Sequence, residues 1–143
     1  MKKTEIKSMP RLIIRIGHHL KVRMDEKLSQ NNLTISQFKV LAYLWEHSHK
    51  KINQKHIHEF LEIKPSSLNK LLSLLETKGL IKKEIDPDDF RNRIIKLTDH
   101  GMEIKRICTE NMKQTEAYVL EEFSDEEVNI LFNLLSRMKK KIS

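Results

Sequence analysis

The stretch DPDDFRNRIIKLT, Asp86 to Thr98, holds three acids, two arginines and one of only three prolines, in a chain that otherwise reads as helix. Asp86, Pro87 and Asp88 form turns readily: proline pre-sets φ, and aspartate carboxylates accept hydrogen bonds from nearby backbone N–H groups. The run RIIKL after this tip and LIKKEI before it are strand-length and β-branched. Together they predict a β-hairpin with a charged tip. Everything else in the fold has to be arranged around one hairpin among helices.

Upstream, Gly79 is placed as the left-handed stop of a helix that Pro65 opens at a first-turn position. Leu68, Leu71, Leu72 and Leu75 repeat at i, i+3, i+4 and i+7, giving that helix one apolar face. Its other face carries Ser66, Ser67, Asn69, Lys70, Ser73 and Thr77, with no acid before Glu76. A face that is merely solvated would be expected to mix Glu with Lys in a chain this rich in both. Before it, Asn53 is a candidate cap for a short helix reaching about Phe60, with Ile57 and Leu61 inward. Thr34 with Gln37 reads as a capping box, and Leu33 with Phe38 as a staple, for a helix to about Glu46 whose buried face is Phe38, Leu41, Ala42 and Trp45. The first helix runs from Pro10 to about Gln30, with Leu12, Ile16, Leu20, Met24 and Leu28 recurring every fourth residue.

Downstream, Thr98 can cap a long helix, roughly Asp99 to Glu122. Ser124 with Glu127 forms a second capping box, and Phe123 with Val128 a second staple. In the last helix Val128, Leu131, Leu135, Met138 and Ile142 step by three and four, the spacing of a seam that packs on another helix. Apolar stripes at both ends of the chain need a partner.

Composition agrees with a mostly α fold: 143 residues contain only three Gly and three Pro. The length admits either one domain with its own core or a small module whose long helices find their core in a partner. The net charge of +7 sits mainly in residues 1–50, where ten Lys/Arg face four Asp/Glu, and it favours polyanionic partners without specifying a fold. A single cysteine, Cys108, excludes an intrachain disulfide framework and suits a reducing cytoplasm. No apolar run approaches the ~18 residues of a membrane span, and the basic start MKKTEIK is not a signal peptide. The expectation is a cytoplasmic protein with no membrane association.

A short helix, a turn, a second helix with a small-polar outer face and a charged hairpin are the parts of a winged helix-turn-helix. The run KPSSLNKLLSLLETKGLIKKEIDPDDFRNRIIKLTDHG, residues 64–101, resembles the core of MarR-family transcriptional regulators, whose wing carries D-x-R followed by five residues and L-T. Asp89, Arg91, Leu97 and Thr98 fall in that register, and Gly101 and LLETKGLI also match. With the flanking helices in order, the resemblance covers nearly the whole chain. It departs from the family at Glu62, where the turn between the third and fourth helices usually has Gly, and at Phe90, a wing position that is commonly basic.

The expected fold is therefore mostly α with a small β-hairpin wing, a winged helix-turn-helix flanked by N- and C-terminal dimerisation helices. The domain boundaries are 1–33 for an N-terminal helix of the dimerisation region, 34–98 for the DNA-binding domain and 99–143 for the C-terminal dimerisation helices. Ser66, Ser67, Asn69, Lys70 and Ser73 are candidates for the major groove, where such side chains reach base edges or phosphates and an acid would repel the backbone. On the wing the candidates are Asp89, Arg91 and Arg93; the resemblance implies that Arg91 enters the minor groove, oriented by Asp89. Lys82, Lys83 and Lys96 are further candidates for phosphate contacts. The dimer interface is assigned to Leu12, Ile16, Leu131, Leu135 and Met138. A two-fold dimer then presents two recognition helices ~34 Å apart to an inverted repeat in double-stranded DNA.

The resemblance further implies a repressor that releases DNA when a small phenolic or anionic effector binds between the dimer helices and the winged domain. Arg15, His18, Phe38, Tyr43 and Trp45 are candidates for that contact, and any of them can equally be core. A different class stays open: a helical protein-interaction adaptor that uses the same seams without specific DNA binding.

Other chemistry finds little support. His47 with His49, and His56 with His58, point ~200° apart on a helix and cannot chelate one ion there. No metal and no cofactor is assigned. Family members that sense oxidants usually carry the reactive thiol in the first helix, which here has none, so Cys108 reads as a buried, inert thiol. With no phosphate-binding Gly-rich loop, nucleophile elbow or isolated carboxylate pair, no enzyme is expected.

Overall fold

The structure is a computed structural model that describes residues 8–143. The basic start MKKTEIK lies outside the described residues. The chain orders as α1 (Met9–Ser29), α2 (Ile35–Glu46), α3 (Gln54–Leu61), α4 (Pro65–Thr77), β1 (Ile81–Ile85), β2 (Arg93–Leu97), α5 (Asp99–Glu103), α6 (Lys105–Leu120) and α7 (Asp125–Ile142). It divides into two compact units, with the boundary between Asn111 and Met112.

Local sequence accounts for most of the boundaries. Thr34 accepts the Gln37 N–H at 3.2 Å while the Gln37 side chain accepts the Thr34 N–H, closing the expected capping box of α2. Asn53 caps α3 in the same reciprocal way, with the Nδ1 of His56 taking the role more often filled by Glu or Gln. Ser124 and Glu127 do so for α7, and Thr98 accepts the Gly101 N–H at 3.0 Å to start α5. Gly79 ends α4 at φ +74°.

The first unit has a leucine-rich core. Leu28, Val40, Leu41, Ile57, Leu68, Leu72 and Leu75 have no exposed surface. They come from α1 to α4, so the three-helix head and the end of α1 share one apolar centre. The indole N–H of Trp45 donates to the Gly101 carbonyl at 2.9 Å, tying α2 to α5 inside this core. Gly101 is required there: a Cβ on it would overlap the Leu80 carbonyl.

β1 and β2 pair antiparallel, from Ile81 opposite Leu97 to Ile85 opposite Arg93. Ile52 and Asn53 add a short third edge, because the Ile95 N–H donates to the Ile52 carbonyl at 2.8 Å and Asn53 bridges Ile94. Ile81 and Ile95 are buried on one face of the hairpin, which fixes the wing's register, since a one-residue slip would turn them to the other face; Ile94, on the opposite face, is buried as well.

Two expectations need adjustment. The long helix expected from Asp99 to Glu122 is interrupted at Ile104, where ψ is −7°, and ends at Leu120. Hydrogen bonds from Ile104 to His100 and from Cys108 to Ile104 persist through the break, so it is one tightened turn and not a change of direction in the hydrogen-bond ladder. At Glu62, where the family usually has Gly, φ of 56° and ψ of 44° place a side-chain-bearing residue in the left-handed region that ends α3.

Candidate nucleic-acid interface

α4 presents the candidate surface. Its three buried leucines, Leu68, Leu72 and Leu75, face the core, which leaves Ser66, Ser67, Asn69, Lys70 and Ser73 exposed on the outer side. The structure brings all five onto one surface. The Asn69 side chain is engaged by a neighbouring element: its Oδ1 accepts from the Gln54 side chain at 2.6 Å. Thr77 turns its hydroxyl back to the Ser73 carbonyl at 2.9 Å.

The wing tip is built by its acids. Asp89 accepts the Arg91 N–H at 3.0 Å and touches its guanidinium Nε at 3.4 Å, while the Asn92 N–H donates to the Asp89 carbonyl at 2.9 Å. Arg91 itself projects with 93% of its side chain exposed. Phe90 is 78% exposed, so it stands clear of the strands. Arg93, itself exposed, donates to the Phe90 carbonyl at 3.2 Å across the turn.

Along the strands, Lys96 and Lys82 meet Glu84 at 3.1 and 3.4 Å. The hydrogen bond from Lys96 holds the Glu84 carboxyl below its ordinary value. These two lysines therefore bring less net positive charge to the surface than their number suggests.

A residue that sequence reasoning missed sits behind the tip. Lys51, in the loop between α2 and α3, places its ammonium 2.7 Å from both Asp86 and Asp88. The hydrogen bond from Lys51, helped by the Asp88 N–H at 2.8 Å, keeps the Asp86 carboxyl below the usual carboxylate range. Lys51 is raised in turn, by the hydrogen bond to Asp86 first. Gln54 was missed for the same reason: neither residue lies at a local spacing from its partner, and no periodicity marks such pairs.

The effector candidates do not share one environment. Tyr43 and Trp45 are buried; Tyr43 stacks on His47 with ring centroids 4.2 Å apart, and Trp45 meets Phe38 edge-on at 6.0 Å. Arg15 and His18 lie exposed on α1. Of the residues assigned to a dimer interface, Leu12 and Ile16 are exposed on α1, and Leu131, Leu135 and Met138 on α7, a helix with no buried residue. Cys108 is buried, and burial pushes its thiol up. Among the described residues, no group of three or more His, Cys, Asp or Glu is placed to hold a metal ion. Among them also, no helix is long and apolar enough to cross a membrane.

Helix, turn, exposed polar helix and charged hairpin in this arrangement define a winged helix-turn-helix protein. The model of the family described as transcriptional regulator SarA/Rot matches residues 24–107, and the chain belongs to that family of MarR-like winged-helix regulators. The HTH-type transcriptional regulator PecS of Dickeya dadantii is 30% identical over 118 residues, 82% of this chain and 71% of the relative. Against two curated Bacillus subtilis relatives the chain spans little more than half of their length, 57% and 52%. The structure of S. aureus MepR in complex with DNA superposes with a TM-score of 0.89 at 28% identity, covering 94% of this chain and 98% of that one. A mutant of E. coli MarR complexed with operator DNA gives 0.84 at 25% identity, covering 96% and 98%.

Proposed function

We propose that this regulator acts as a cytoplasmic homodimer that binds an inverted repeat in double-stranded DNA and represses transcription until a small phenolic or anionic effector releases it. The observation that carries the reading is the pairing of an outer face on α4 that holds no acid before Glu76 with an adjacent wing whose Arg91 is almost fully exposed. A helix of this kind fits a major groove, and an extended cation beside it fits a narrow minor groove, where the negative potential is deepest. The DNA complexes of MepR and MarR support the same use of the fold. Residues 34–98 then serve as the reading head, while 1–33 and 99–143 pair the two copies. Release by an effector requires that it bind the DNA-incompetent geometry better than the competent one.

The test is a titration of duplex DNA from upstream of the chain's own coding sequence, at several salt concentrations, against a scrambled duplex. A steep fall of affinity with salt and a preference for the upstream duplex are expected. Arg91→Ala combined with Asn69→Ala should remove most of that preference, at about 1–3 kcal/mol for each base edge that is no longer read. Equal, weak binding to every duplex would refute the reading and leave the adaptor alternative standing.

A further inference from the structure

We infer that Lys51 is a positioning residue for the wing: by clasping Asp86 and Asp88 from the loop between α2 and α3, it sets where Arg91 projects. The inference rests on the proposed DNA reading, and it concerns a residue outside both the recognition helix and the hairpin.

The geometry is specific. Asp86 is the hairpin residue that closes the turn, its N–H donating to the Asn92 carbonyl at 3.2 Å and its carbonyl accepting the Asp89 N–H at 3.3 Å. Its side chain is only 10% exposed, and one oxygen accepts from both the Lys51 ammonium and the Asp88 N–H. Asp88 is 84% exposed and reaches the same ammonium from the solvent side. The lysine therefore grips the turn on two faces. The same loop is joined to the middle of β2 through the Ile52 carbonyl, which accepts the Ile95 N–H. Two attachments, one backbone and one ionic, fix the hairpin to the helix-turn-helix at separate points, which removes the rocking a single bridge would allow.

The clasp has an electrostatic side as well. Asp86, Asp88 and Asp89 stand within a few residues of Arg91, where uncompensated acids would oppose the approach of phosphates. Lys51 offsets one of the two negative charges on Asp86 and Asp88, and Arg91 sits against Asp89, so the acidic tip is less negative than its carboxylates alone would make it. The lowered Asp86 and raised Lys51 titrations are consistent with a mutually stabilised pair.

The experiment uses the full chain in two arms. In the first, backbone amide hydrogen exchange without DNA compares wild type with Lys51→Met, Lys51→Arg and Asp88→Asn. Exchange at the Asp88, Asp89 and Asn92 amides should rise about tenfold in Lys51→Met, less in Asp88→Asn, and little in Lys51→Arg, while the amides of α4 and the Tm stay as in wild type. Should Lys51→Met fail to fold, Asp88→Asn, altered at an exposed position, carries the comparison.

In the second arm, the upstream and scrambled duplexes are titrated as above. Lys51→Met should weaken specific binding about tenfold with its log–log salt slope unchanged, since a positioning residue releases no counterions. Lys51→Arg should restore most of that affinity. A slope smaller by about one with unchanged exchange would identify Lys51 as a direct phosphate contact and overturn the inference. Unchanged exchange at the tip, or faster exchange with undiminished specific affinity, would overturn it too. If wild type itself shows no preference for the upstream duplex, the DNA reading fails and the positioning role with it, and the exchange arm then reports a structural contact alone.

Discussion

α4 and α7 are both strongly amphipathic, and they end in opposite circumstances. α4 sinks Leu68, Leu72 and Leu75 completely, leaving outward a face that is polar apart from Leu74, whereas α7 buries none of its eighteen residues and exposes Leu131, Leu135, Met138 and Phe132. Amphipathicity in each case says which face wants cover, because apolar area left in water costs about 25 cal/mol per Å². It does not say where the cover comes from. For α4 it comes from the same unit; for α7 the proposed dimer supplies it.

The largest effects should separate these two helices. Leu72→Ala is expected to cost about 2–5 kcal/mol of folding stability, equally at every protein concentration, because the cavity forms inside the chain's own core. Leu131→Asp with Leu135→Asp should leave the first unit folded yet abolish dimerisation and operator binding together. Chemical denaturation at two protein concentrations, with light scattering, reads both. Tight sequence-specific binding by the charged double variant as a monomer would break the comparison and the dimer proposal with it.

A smaller effect tests the turn that sets α4's angle. Glu62 holds a left-handed conformation that costs a side-chain-bearing residue about 1–2 kcal/mol, part of which glycine returns as lost chain entropy. Glu62→Gly should raise stability by up to about 1 kcal/mol, or ~3 °C in Tm. A lower Tm would mean that the Glu62 side chain contributes something its backbone conformation hides.

The smallest effect concerns the wing. The folded Asp86 carboxyl is held below its ordinary value of 3.8, first by Lys51, so the unfolded chain takes up that proton more readily than the folded one. The stabilisation is complete above the ordinary carboxylate value and is lost as pH falls through the lower folded one. An NMR titration of Asp86 should give a midpoint below 3.8, moving upward in Lys51→Met; a midpoint at or above 3.8 in wild type contradicts the clasp.

Much of this was legible in advance because it is local. Thr34, Asn53, Thr98 and Ser124 act on backbone groups within three residues, Gly79 needs only its missing Cβ, and the leucine periods of α4 depend on helix geometry alone. The turn at Glu62 was marked only by the family resemblance, which has Gly at that position. The five outer residues of α4 could be placed on one face from spacing, and the hairpin itself followed from its two β-branched runs.

What only the folded chain decided lies far apart in sequence. Lys51 reaches Asp86 across 35 positions, Gln54 reaches Asn69 across 15, and Trp45 reaches Gly101 across 56. No rule of helix or strand periodicity couples such residues, since their meeting depends on how several elements pack at once. Sequence alone determined the elements, their caps and the faces that had to be covered, because these follow from interactions a few residues long. Tertiary structure decided which cation restrains the wing and which aromatics are core, because burial and pairing are properties of neighbours that the chain brings together only after it has folded.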